Sequence, residues 1–225
     1  MKRFFQGPIV FAAALLFTAS GFALPKGGKC IKGSAKTHSS KKGLEITTDH
    51  NTWMDWDSFS IGKGEKVAFK MPNAKSCTIN RVQGKTPSDI QGRLEANGSV
   101  YLLNRNGILI GKEAVINAAS FLASTLDLVS DEVFAKDELL FRLGKEKGII
   151  TNYGMIETTA GSVTLLGYHV SNHGTVKAGS GKVFLGGGEE ILLRPDEGIL
   201  IRPSLEDLDT GVDNQGTIEA LEVYL

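Results

Sequence analysis

The side chains best suited to chemistry in this chain are Asp55, Asp57, Asp127, Asp131 and Asp137, His169 and His173, and Cys30 and Cys77. Hydrolysis by paired carboxylates needs two of them facing one cleft. No two of these aspartates fall at matching phases of the repeat described below, and between 148 and 187 the only acidic residue is Glu157. His169 and His173 flank a turn in a strand context, so the two-histidine helical zinc motif does not apply. Two distant cysteines do not make a zinc site. No Ser-His-Asp spacing and no phosphate-cradling glycine loop stands out. The pattern argues against catalysis, a metal and a cofactor, and against a small-molecule substrate.

A different kind of signal lies in "LNRNGILIG", residues 103–111. Asn104, Arg105, Asn106 and Gly107 stand between the apolar runs Val100–Leu103 and Ile108–Ile110. Asn and Gly tolerate positive φ, so Asn106-Gly107 predicts a turn. Asn97-Gly98 reads as a second, hairpin turn. Asn80-Arg81-Val82 precedes Gly84, and Arg81 either pairs with a carboxylate on a neighbouring loop or touches a partner.

The elements that hold these residues follow an export signal. Lys2 and Arg3 form a basic start, Pro8–Ala19 is mostly apolar, and Gly21-Phe22-Ala23 suits cleavage after Ala23. The apolar stretch is too short to span a bilayer, so residues 1–23 read as a signal peptide. About 200 residues remain, enough for one domain with a core. Of 25 basic and 25 acidic residues the signal removes two basic ones, leaving 23 against 25, a formal net of −2. That is no footprint for nucleic acid. With 27 Gly and only 6 Pro, the composition suits strands and turns.

Residues 24–43, basic and without apolar period, read as a flexible leader. Short apolar runs bounded by Gly, Asn or Pro follow, such as "KVAFKM", "SVYLL" and "GILIG", and these are strand signals. Ser88–Leu94 is the best helical candidate. Trp53, Trp56 and Phe59 are expected to cap the first coil, with a partner-binding patch as the other reading.

The strongest pattern is internal. Residues 148–167 overlay 168–187 without a gap at an offset of 20. Ile150 falls on Val170, Asn152 on Asn172, Gly154 on Gly174, Ile156 on Val176, Gly161 on Gly181, Val163 on Val183, Leu165 on Leu185 and Gly167 on Gly187. Asn214, Gly216 and Ile218 repeat the same pattern 42 residues after the second copy. A 20-residue unit of short strands and Gly turns traces one three-faced circuit of a coil. The fold class is therefore all-β, a right-handed parallel β-helix with an N-terminal cap. Its cap and first coils span 44–147, regular coils 148–187, and a last partial coil 212–225. The extra length at 188–211 holds Ile191–Leu193 and Ile199–Ile201 joined by "RPDEG", which predicts an extruded β-hairpin. The chain stops at "LEVYL", an uncapped apolar strand, which reads as an interrupted coil stack.

Cys30 and Cys77 are compatible with a disulfide in an exported protein. It would contribute roughly 3–4 kcal/mol in the chain-entropy model. Two free thiols are the other reading. A closed loop would hinder any export step that needs the chain extended, so the pair is expected to be reduced, or to join late, while the chain is being exported.

Three stretches in order carry a resemblance: "DWDSFSIGKGEKVAF" (55–69), "INRVQGKTPSDIQGRLEANGSVYLLNRNGILIG" (79–111) and "LASTLDL" (122–128). Together with the coils after Gly148, the chain resembles the N-terminal secretion domain of two-partner secretion exoproteins of the filamentous haemagglutinin type. The resemblance implies a non-catalytic secretion signal of an exported adhesin-like protein. An outer-membrane barrel would recognise it through periplasmic POTRA modules, and it would nucleate β-helix folding outside the cell. It also implies a recognition role for Asn104, Arg105, Asn106, Gly107 and Ile108, with Asn80, Arg81, Val82, Gly84, Asn97, Gly98, Ser124 and Thr125 as supporting motif. Arg105 stands where the family usually has Pro. Asn152, Gly154, Asn172, Gly174, Asn214 and Gly216 form the coil-turn ladder. Host-surface molecules would be partners of the exported protein through further C-terminal repeats. A stand-alone surface adhesion module is the competing reading.

Overall fold

The computed structural model describes residues 23–129, 134, 138–204 and 209–225. The proposed signal peptide, apart from Ala23, and the candidates Asp131 and Asp137 lie outside the described residues. Among the described residues every regular element is a strand.

The chain winds through three sheet faces in turn. The first face stacks Thr52–Trp56, Cys77–Val82, Ser99–Leu103, Ser120–Ser124, Val163–Gly167 and the second half of Thr175–Gly187. The second face stacks Gly43–Thr48, Lys66–Lys70, Arg93–Ala96, Val115–Ala118, Met155–Thr158 and the first half of Thr175–Gly187. The third stacks Ser88–Ile90, Ile108–Ile110, Ile149–Asn152, His169–Asn172 and Gly211–Asn214. Neighbours within each of these stacks pair parallel, giving a parallel β-helix. The 20-residue overlay is the observed register: Ile150 faces Val170, Ile156 faces Val176 and Val163 faces Val183. Alternate residues turn inward, and Val67, Ile90, Leu94, Val100, Leu102, Ile116, Ile156 and Leu185 form one continuous buried ladder.

The 24–43 segment is not a flexible leader. Lys29–Lys32 pairs antiparallel with the first-face strand Thr52–Trp56, and Ala35–Ser40 pairs antiparallel with Gly43–Thr48. Leu24 packs on the core beneath. These strands cap the first coil, which otherwise would present open sheet edges and unburied apolar groups. Their side chains are almost all exposed, which explains the missing apolar period. The cap is therefore not built from Trp56 and Phe59. Those rings lie inside the first coil, Trp56 edge-on to Phe59 with centroids 5.6 Å apart.

Ser88–Leu94 is not helical. Ile90 and Leu94, four apart, sit on two different faces either side of a corner at Gly92. Cys30 and Cys77 are free thiols. Cys30 lies opposite Met54, and Met54 opposite Asn80 on the next strand, three residues from Cys77. Two strand spacings already separate the Cα atoms by roughly 10 Å, beyond the roughly 7 Å limit for a bridge.

The hairpin at 188–211 is present, with Glu190–Arg194 antiparallel to Gly198–Arg202. It does not stand alone. It joins Asp127–Leu128 and Leu139–Arg142 in a four-stranded antiparallel sheet outside the helix. That sheet covers the outward side of the first face, where Trp53, Ile79, Leu122, Leu166 and Phe184 meet Leu139, Phe141, Ile191 and Leu193 in a second core.

Candidate functional site

The 104–107 stretch is a coil corner, not a hairpin. Ser99–Leu103 belongs to the first face and Ile108–Ile110 to the third, and the two strands do not pair with each other. Gly107 N donates to Asn104 O at 3.1 Å, closing a tight turn. Among the described residues no non-glycine residue has positive φ, so the left-handed step of this corner falls on Gly107, at φ 123°.

Asn104 locks this corner and is 1% exposed. Its Oδ1 accepts from Asn106 N at 3.0 Å and from Asn106 Nδ2 at 2.9 Å. Its Nδ2 donates to Thr86 O and to Ser88 Oγ, both at 3.0 Å. Asn106 Nδ2 also donates to Gly84 O at 2.8 Å, tying the corner to the one in the coil before. On the other side Asn104 N donates to Ser124 O, and Thr125 Oγ1 donates to Gly148 O at 2.7 Å. Ile108 and Val82 are buried core residues. Arg105 is left: its guanidinium makes no hydrogen bond or ion pair to any described residue, and the residue lines a cleft.

That cleft, about 280 Å³, is lined by Trp53, Arg81, Gln83, Arg105 and the Leu126–Leu128 stretch, with Leu103 and Asn104 behind. Its fixed wall is a charge cluster on the outward side of the first face. Asp55 lies directly across from Arg81 on the adjacent strand. Arg81 Nε and Nη2 donate to the two Asp55 oxygens, both at 2.9 Å. Gln83 Nε2 and Trp53 Nε1 donate to the same carboxylate at 3.0 and 3.2 Å. The Arg81 guanidinium also lies over the Trp53 ring, 4.9 Å from its centroid. Burial works to raise the Asp55 carboxyl, but the hydrogen bonds from Arg81, Gln83 and Trp53 and the Arg81 charge outweigh it and hold it below the ordinary carboxylate value. A carboxylate so committed is a poor general acid or base, and Asp127, also at the cleft, gains no catalytic partner from it.

The structure thus brings Arg81, Val82, Gly84, Asn104, Arg105, Asn106 and Gly107 to one place, with Ser124 and Thr125 as the neighbouring corner. It separates Asn80, Asn97, Gly98 and the coil-turn ladder from that place. Asn80 is fully buried, accepting from Trp56 Nε1 at 3.0 Å. Asn97 and Gly98 sit at a different corner, where the Asn97 amide closes both ways onto Met71 N and O at 2.8 and 2.7 Å. They form no hairpin. The coil-turn ladder occupies a third corner. Asn152 Nδ2 donates to Asn172 Oδ1 at 2.8 Å, and Asn172 Nδ2 to Asn214 Oδ1 at 2.7 Å. Gly154, Gly174 and Gly216 stack there so closely that a side chain on Gly174 would collide with the Gly154 carbonyl. Gln83 carries no motif signal in the sequence, and Trp53 lies at the cleft rather than in a cap, in keeping with the partner-patch reading of it; outward alternation along 53–55 and 81–83 is the signal that places both.

His169 and His173 do not converge. His173 stacks on Tyr153, centroids 4.9 Å apart, while His169 Nδ1 lies 3.0 Å from Asp209 O. Among the described residues no group of three or more His, Cys, Asp or Glu side chains could hold a metal.

Residues 23–220 match the TPS secretion domain family. Over 220 residues, 92% of this chain and 24% of the relative, the chain is 36% identical to the heme/hemopexin-binding protein of Haemophilus influenzae. A second heme/hemopexin-binding protein from that organism is 40% identical over 128 residues, 53% of this chain and 14% of the relative. The chain therefore spans less than a quarter of the length of these curated relatives. The crystal structure of the HMW1 secretion domain from Haemophilus influenzae superposes with a TM-score of 0.80 at 33% identity, covering 87% of this chain and 53% of that one.

Proposed function

Because the chain belongs to the TPS secretion domain family, we propose that its recognition surface is the cleft beside the 104–107 corner. Domains of this family are the secretion signals of proteins exported by Gram-negative bacteria, and their partner is an outer-membrane transporter. In this reading the POTRA modules of that transporter meet the cleft after export of the chain by a cleaved signal peptide. The observation that carries it is convergence. Asp55, Arg81, Arg105 and Leu126–Leu128 come from all three family-like stretches and line or brace one opening. At about 280 Å³ the opening is small for a cofactor and suits one or two side chains of a partner. Arg105 supplies five donors without a committed acceptor. The activity of the whole exported protein is, in this proposal, engagement of a host-surface molecule; the curated relatives are named as binding heme and hemopexin.

The test is release into the medium from a Gram-negative host, with and without the cognate transporter. Wild-type release should require the transporter. Arg105→Glu should cut release at least about tenfold while leaving the denaturation midpoint nearly in place, since the guanidinium makes no hydrogen bond or ion pair to a described residue. Transporter-independent release would refute the signal role, and full release of Arg105→Glu would refute the cleft.

A further inference from the structure

The corner after Ile61 holds a buried carboxyl with one side unfilled. Gly62-Lys63-Gly64-Glu65 is a tight turn, closed by Glu65 N donating to Gly62 O at 2.9 Å. The Glu65 side chain folds back under it and the residue is 3% exposed. Its Oε2 accepts from Gly62 N at 2.8 Å and from Ala23 N at 2.9 Å. Its Oε1 is buried and has no hydrogen-bond partner among the described residues. The flanking lysines do not serve it. Lys63 reaches Glu113 at 2.6 Å and Lys66 reaches Glu95 at 2.5 Å, both toward solvent. Among the described residues no cation pairs with Glu65. The space is tight, since a Cβ on Gly62 would lie 2.7 Å from Oε2 and 3.5 Å from Ala23 N.

A carboxylate taken out of water is costly unless both oxygens find donors and a counter-charge lies near. Two neutral amides leave Glu65 short on both counts. One of those amides belongs to Ala23, the last residue of the segment read as a signal peptide. Hydrolysis of the Ala23–Leu24 bond consumes one water. Ala23 leaves as a carboxylate, and the Leu24 nitrogen takes the released proton and becomes an ammonium group. That nitrogen is already placed. The Leu24 side chain packs on the core, Pro25 is buried, and Lys26 N donates to Ser58 O at 2.9 Å. The new terminus is thus one residue from a nitrogen that touches Glu65. The family match also begins here, at residue 23.

We propose that Glu65 is the receptor for the α-ammonium of the processed chain. Three N–H donors and a positive charge then replace the single Ala23 amide and serve both carboxylate oxygens. Removal of the leader completes the cap, and an uncut leader leaves it incomplete. The inference rests on the signal-peptide cut that the secretion reading entails, yet its test needs no transporter.

The experiment compares protein processed in the periplasm with a chain that keeps Phe22 and Ala23, behind an initiator Met, ahead of Leu24. N-terminal sequencing should read Leu24-Pro25. The processed chain should melt higher by roughly 4 °C or more. Glu65→Gln should erase that gap, lowering the processed chain and changing the extended one far less. If Glu65→Gln does not fold, acylation of the wild-type terminal amine decides. It should run at least tenfold slower in the folded processed protein than in denaturant. A terminus other than Leu24, equal melting of the two chains, or an α-amine as reactive folded as unfolded would overturn the proposal. Loss of transporter-dependent release would bear on the secretion reading alone.

Discussion

Replacing Asn104 with Ala separates what the 104–107 corner does for the fold from what it offers a partner. The side chain makes four hydrogen bonds, two through Nδ2 to Thr86 O and Ser88 Oγ and two through Oδ1 from Asn106. Their losses are unequal. Thr86 is exposed and Asn106 half-buried, so water can replace the amide at those groups. Ser88 is fully buried, and among the described residues its hydroxyl has no partner other than Asn104. Lost bonds cost about 1 kcal/mol each net, and an orphaned buried hydroxyl about 1–3 kcal/mol. Asn104→Ala should therefore destabilise by about 2–4 kcal/mol in urea unfolding. Ser88→Ala should cost only about 0.5–1.5 kcal/mol, because Asn104 Nδ2 keeps Thr86 O. The double variant should fall short of the sum by about 1–2 kcal/mol, since no hydroxyl remains to be orphaned. An Asn104→Ala loss under 1 kcal/mol, or a strictly additive cycle, would refute the argument that Ser88 makes this asparagine structural.

The asparagine ladder should show a gradient. Asn172→Ala strands the buried Asn152 amide and should cost about 2–3 kcal/mol, whereas Asn214→Ala opens an exposed rung where water can replace the acceptor of Asn172 Nδ2 and should cost under about 1 kcal/mol, both by urea unfolding. Asp55 has a folded value depressed below 3.8, so its contribution is complete above that ordinary value and is lost as pH falls through the folded one. The stability gap between wild type and Asp55→Asn should thus narrow on acidification below about pH 4, and a gap that widens there would contradict the Arg81 pairing. For the cysteines, burial pushes the Cys77 thiol up to about 12 while Cys30 is exposed. A thiol reagent at pH 8 should label one cysteine quickly and the second only in denaturant, and a 2 Da mass deficit in native protein would falsify the free-thiol state.

The regular coils were legible because their circuit is constant. Ile150, Asn152 and Ile156 recur 20 residues on, and that recurrence is the hydrogen-bonded register itself. Earlier circuits vary. Arg81 meets Asp55 across 26 residues and Asn80 meets Tyr101 O across 21, so no single offset aligns them. A carboxylate partner for Arg81 is legible from sequence, but its identity as Asp55, on an adjacent strand rather than a loop, is therefore not. The cap strands were missed because Lys29–Lys32 and Ala35–Ser40 gain order from their partners and bury almost nothing of their own. Ile90 and Leu94 imitated a helix because a corner at Gly92 happens to fall between them. The hairpin was readable from "RPDEG", but its sheet partners at 127–128 and 139–142 carry no repeat to announce them.

The cleft raises a question about what form of the chain a transporter meets. Asp55, Arg81, Arg105 and Leu126–Leu128 come from four successive coils and share a wall only when those coils are stacked. Arg105 is different, since it sits in a continuous stretch whose identity survives in an extended chain. A receptor that reads the folded surface depends on the Arg81 guanidinium, held by Asp55 and laid over Trp53. One that reads an extended strand is blind to that geometry and sees Arg105 with its neighbours. Two variants distinguish the cases. Arg81→Lys keeps the charge but loses the two-pronged bond to Asp55 and the flat packing on Trp53. If recognition precedes unfolding, both Arg81→Lys and Arg105→Glu should lower transporter-dependent release. If recognition is of extended chain, Arg105→Glu alone should do so, and Arg81→Lys should show its effect only in the stability of the released protein. Normal release of both would remove this corner from the recognition surface and leave it as scaffold between the first and third faces.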